Sequence, residues 1–60
     1  MLIEDLQKRK WYLYSVGDGV VVKVRYKRSE KLNRYLFEEK NGLDIELTFM
    51  GVELFINEIK

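Results

Sequence analysis

The chain has 60 residues, enough for one domain spanning 1–60 and no second, and a domain of that length hides only ~60% of the surface its unfolded chain exposes. It has no cysteine and no histidine, which excludes disulfide staples, thiolate zinc sites and the nucleophile–base pairs built on those side chains. With 47% hydrophobic and 35% charged residues the composition is that of a packed domain rather than a disordered one, and the net charge of +1 by itself singles out no partner.

Residues 2–10 are expected to form a short helix. Leu2, Ile3 and Leu6 share one side, Glu4 and Asp5 lie near the start, and Lys8, Arg9 and Lys10 near the end, an order that complements the helix dipole. A helix this short needs a sheet or a partner to hold it. Met1-Leu2-Ile3-Glu4-Asp5 has no basic leader before a long apolar run, and no stretch reaches the ~18 apolar residues of a membrane span. A cytoplasmic protein that does not enter a membrane is therefore expected.

Residues 11–16 (Trp-Tyr-Leu-Tyr-Ser-Val) are aromatic and β-branched enough for a strand. Gly17-Asp18-Gly19 then reads as a tight turn; it lacks the Lys-Ser/Thr pair and the following helix of a phosphate loop. The next strand runs from Val20 to about Lys27. Val20, Val22, Val24 and Tyr26 fall on one face, and Val21, Lys23, Arg25 and Lys27 on the other, so the pair is a half-buried antiparallel hairpin.

Residues 29–40 admit two readings. As a helix, Ser29 is the N-cap, Leu32, Tyr35 and Leu36 form the buried stripe, and Asn41-Gly42 is the stop. As a strand, 34–39 would pair with 43–48 across an Asn-Gly turn. A two-residue turn sets Glu38 opposite Ile45 and Phe37 opposite Glu46, joining apolar to charged positions, and this mismatch favours the helix. Leu43 to Phe49 and Val52 to Asn57 both alternate, and a Met50-Gly51 turn would bring Leu47 against Leu54 and Ile45 against Ile56.

The expected fold is therefore α+β: helix–strand–strand, helix–strand–strand, with a four-stranded antiparallel sheet covered on its apolar face. The alternative is a small five-stranded SH3/Sm-like β-barrel with an N-terminal helix, in which 34–39 is a strand.

Charge is divided along the chain. Residues 1–34 carry nine Lys or Arg against four Asp or Glu, a net +5; residues 35–60 carry two against six, a net −4. The best candidate site is the basic strand face of Lys23, Arg25 and Lys27, extended by Arg28, Lys31 and Arg34, because phosphate binding draws on several cations held on one rigid surface. Trp11, Tyr12, Tyr14, Phe37 and Phe55 are candidates for stacking on bases or for an interface. The same lysines and arginines would also serve as the solvent face of a half-buried strand.

Glu38, Glu39, Asp44, Glu46, Glu53 and Glu58 form no acid–base pair set in a pocket, and Ser15 and Ser29 have no evident base. No catalysis, cofactor or metal is expected. The function read from the residues is a non-enzymatic binding protein that contacts an anionic partner such as nucleic acid. The alternative is an adaptor or self-assembling module, a homo-oligomer or the binder of an acidic protein surface, which would cover the surplus apolar positions.

Overall fold

The computed structural model describes residues 1–59, as five antiparallel strands, a 3-10 turn and one short helix. The 3-10 turn is Ile3–Asp5, followed by β1 (Trp11–Gly17), β2 (Val20–Lys31), β3 (Arg34–Glu39), β4 (Asp44–Leu47), α1 (Phe49–Phe55) and β5 (Ile56–Glu58). The strands form one sheet in the order β4-β3-β2-β1-β5. No helix among the described residues is long and apolar enough to cross a membrane.

The expected β1–β2 hairpin is present. Tyr12 pairs with Val24 and Tyr14 with Val22, so the aromatic and β-branched residues of alternating positions meet on the inner face. Gly17, Asp18 and Gly19 all have positive φ, which is why two glycines and an aspartate stand there.

Residues 29–40 are strand and hairpin rather than helix, so the four-strand count is corrected to five. The reason is one residue of loop. Glu39 donates to the carbonyl of Leu43 at 2.7 Å, which closes a three-residue loop, Lys40-Asn41-Gly42, with Gly42 at φ +94°. The longer loop shifts the register by one and exchanges the two faces. Phe37 then lies opposite Ile45 and Tyr35 opposite Leu47, apolar against apolar. Leu32, expected in a buried helical stripe, is instead 98% exposed at the tip of the β2–β3 hairpin.

Two further expectations are corrected. The helix over 2–10 contracts to a single 3-10 turn, because the chain beyond Leu6 pairs elsewhere. Arg9 takes φ +67°, its N–H donates to the Tyr26 carbonyl at 2.9 Å, and Tyr26 donates to the Lys10 carbonyl at 3.2 Å. The second hairpin, about Met50-Gly51, is replaced by α1. Val52 and Ile56 are both fully buried, and they satisfy a helical spacing of four as well as a strand alternation of two. Capping favours the helix: the Thr48 hydroxyl accepts from Gly51 N at 3.2 Å, and the Asn33 side-chain carbonyl accepts from Phe49 N at 2.6 Å.

The core is Tyr12, Val24, Tyr26, Phe37, Val52 and Ile56, with Tyr26 and Phe37 stacked at a tilt, ring centroids 5.2 Å apart. Helix α1 closes over it, lying against β1, β3, β4, β5 and the 3-10 turn, and its Val52 joins Val24 and Tyr26 of β2 in the core. The α-ammonium group of Met1 donates to the carbonyls of Glu53 and Ile56 at 2.9 and 3.1 Å, at the C-terminal end of α1, where the helix dipole favours a cation.

Candidate anion-binding cleft

Strand β2 carries the basic residues, and its departures from regular geometry decide where they point. Up to Tyr26 it pairs with β3 in one register, with Arg25 opposite Glu38 and Tyr26 opposite Phe37. The register then shifts twice, so that Arg28 lies opposite Leu36 and Lys31 opposite Arg34. Each shift is a bulge that inserts one residue and moves the rest of the strand to the other face. Strict alternation would send Arg28 inward after Tyr26. The first bulge, at Lys27, returns it to the side of Leu36 and Arg25, and the second does the same for Lys31. Cations at mixed odd and even positions thus share the outer face.

Arg9 joins them from a distant part of the chain, delivered by the backbone pairing of residues 9 and 10 with Tyr26. Arg9, Arg25, Lys27 and Arg28, with Tyr26 and Glu38, line an open cleft of about 520 Å³. The Tyr26 phenol is held above its ordinary 10.0 by burial first, then by the neighbouring Tyr35 and Tyr12.

Most of the expected site residues already have a carboxylate partner. Arg25 pairs with Glu38 and Arg28 with Glu30; Lys27 lies 3.5 Å from Asp44 and Arg34 3.6 Å from Glu46. Among the described residues neither Lys23 nor Lys31 has such a partner. Part of the division between a basic first half and an acidic second half is therefore closed within the molecule, where β3 lies between β2 and β4. These pairs are solvent-accessible, and exposed pairs contribute ~1 kcal/mol or less, so a multiply charged anion can exchange with them.

The aromatic candidates separate. Tyr12 and Phe37 are fully buried in the core, which withdraws them from stacking on a ligand; their inward positions follow from the register of β1 and β3. Tyr14 is half-buried and meets the edge of Phe55, centroids 6.5 Å apart. Phe55 is at the end of α1 and does not line the cleft. Trp11 is beside the cations: Arg25 lies over its ring at 5.3 Å and Lys23 at 5.7 Å from the centroid. Arg9 was expected near the strand only if the N-terminal segment packed beside the hairpin, and the pairing with Tyr26 brings it there. Glu38, Asp44 and Glu46 reach their partners through strand register, whereas Glu30 is two residues from Arg28 on the same strand.

No group of three acidic, histidine or cysteine side chains among the described residues is arranged to hold a metal ion. No protein-family model, curated protein or solved structure matches the chain.

Proposed function

We propose that this protein is a non-enzymatic binding module that takes an anionic partner, nucleic acid foremost, on the outer face of β2. The observation that supports this reading is the convergence of Arg9, Arg25, Lys27 and Arg28 on one cleft, with Lys23 and Lys31 along the same strand. Backbone bulges and a long-range pairing both contribute to that convergence. Phosphates bound there gain from several cations at once and release the counterions of the nucleic acid. The strand order, with a short helix between β4 and β5, supports reading the architecture as a small SH3/Sm-like barrel. The test is anisotropy of a labelled oligonucleotide against K27Q/R28Q, whose fold is checked by circular dichroism. Binding that weakens about tenfold or more at low salt supports the cleft; undiminished affinity in the folded variant rejects it.

A second reading rests on a different observation. Helix α1 leaves Phe49, Met50, Leu54 and Phe55 between 43% and 66% exposed, and Phe49 lines a groove with Leu2 and Ile3, flanked by Glu4 and Glu53. A second copy of the chain would cover this face, and hydrophobic burial would add to the stability of a small core. Sedimentation across a range of concentrations tests it: a monomer throughout removes the self-assembling reading and leaves the cleft unaffected.

A further inference from the structure

We infer that the partner of the β2 face is a double-stranded nucleic acid, held through its phosphates alone, and that Glu38 acts as an internal competitor for the site. This deepens the reading of β2 as an anion-binding surface and rests on it.

The cleft has cations in number and lacks open aromatic faces. Recognition of unpaired bases draws on aromatic faces open beside the cationic groove. Here Tyr12 and Phe37 are in the core, Tyr14 packs against Phe55, neither Phe49 nor Phe55 lines the cleft, and Tyr26, which does line it, is 8% exposed with its ring against Phe37. Trp11 is the one aromatic candidate adjacent to the cations, and its ring carries Lys23 and Arg25. A base seeking that ring displaces two cations that would otherwise meet phosphates. Contacts to phosphate are what the surface offers, and those favour the polymer of higher charge density. Each neutralised phosphate contributes a salt dependence of about 0.9 on a duplex and about 0.7 on a single strand. For four contacts, and equal affinities where charge is fully screened, a duplex is favoured about sixfold at about 0.1 M salt.

Glu38 supplies the second half. Its carboxylate lines the cleft and pairs with Arg25 from the neighbouring strand. Without ligand it neutralises Arg25; with a phosphate at hand it repels the incoming charge and holds the guanidinium back. A neutral isostere keeps the shape and removes the competition.

The experiment uses one sequence as duplex and as single strand, titrated against the wild-type chain, E38Q and W11L, each checked for fold by circular dichroism and read by anisotropy of the labelled nucleic acid. The expected result is a duplex preference of about sixfold, a slope of log affinity on log salt of about −3.6 for the duplex, a duplex preference in W11L at least as large as in wild type, and tighter binding in E38Q. Single-strand binding equal to or tighter than duplex, lost in W11L, overturns the inference while leaving the β2 face as a nucleic-acid site. Binding that E38Q weakens or leaves unchanged overturns the role given to Glu38. No binding of either form at low salt overturns both the inference and the reading beneath it.

Discussion

The side-chain carbonyl of Asn33, at the tip of the β2–β3 hairpin, accepts a hydrogen bond from the backbone N–H of Phe49, the first residue of α1, at 2.6 Å. Sixteen residues separate them, so a hairpin turn supplies part of the cap of a helix it precedes by two strands. Asn33 also has φ +59°, a conformation asparagine tolerates better than most residues. The two roles can be separated. Asn33→Gly keeps the conformation and loses the bond, at an expected cost of about 1 kcal/mol; Asn33→Ala loses both and costs about 1 kcal/mol more. Urea denaturation of the two variants measures the difference, and equal stability of wild type and Asn33→Gly would show that the bond contributes nothing.

Gly51 is helical without need of being glycine. Its φ is ordinary, and an added Cβ would meet the Leu47 side chain and the Thr48 hydroxyl at 3.5 Å, normal contact. Gly51→Ala is expected to raise stability by about 0.4–1 kcal/mol, because it restricts the unfolded chain and favours the helix. A lower urea midpoint would show that α1 is not helical at this position in solution.

Two apolar residues of β3 and its hairpin make opposite claims. Phe37 is fully buried, and Phe37→Ala is expected to cost about 3–5 kcal/mol. A chain of this length commands a total of only about 3–9 kcal/mol, so that variant should be largely unfolded or close to it. Leu32→Ala, at a position 98% exposed, should fall within about 0.5 kcal/mol of wild type. The two measurements, by circular dichroism and denaturation, together distinguish the hairpin from the helix that the residue pattern favoured, in which Leu32 is the buried one.

Alkaline pH should weaken the fold through Tyr26. Burial raises its folded pKa above the ordinary 10.0, so the unfolded chain releases the phenolic proton first. The stabilisation is complete below pH 10.0 and is lost as pH rises through the folded value. Urea midpoints followed from about pH 9 to about pH 11 should fall, and Tyr26→Phe should fall less over that window. An identical decline in both proteins would assign the loss to other groups.

The residues showed β1 and β2 as far as Lys27 because alternation within one strand is a local property, and a glycine-rich turn joined them. They offered β3 only as the less favoured of two readings, because a loop of three residues instead of two reverses which side chains face the core. Nor did they resolve residues 49–58, where Val52 and Ile56 suit both periods and the deciding cap includes Asn33, far back in the chain. The same division runs through the candidate site. Arg25, Lys27 and Arg28 were visible as neighbours in the sequence. Arg9 entered through a backbone pairing that no periodicity signals, and Glu38 and Asp44 through strand register. Tyr12 and Phe37 looked available because their types suit a ligand as well as a core, and only register told them apart.

The two bulges of β2 bear on how this chain avoids its own kind. A strand of twelve residues that opens with Val20-Val21-Val22, the first two half-exposed, is a candidate template for edge-to-edge stacking into fibrils. Its far end runs on beyond the last β1 partner, Arg25, with only the short pairing to residues 9 and 10 alongside Tyr26. Bulges bend and twist such an edge so that a flat neighbour cannot lie along it, and charged side chains add repulsion between copies. Deleting Lys27 would remove the first bulge and one of the strand's charges together, weakening both protections in one step and turning the hairpin toward ordered aggregation.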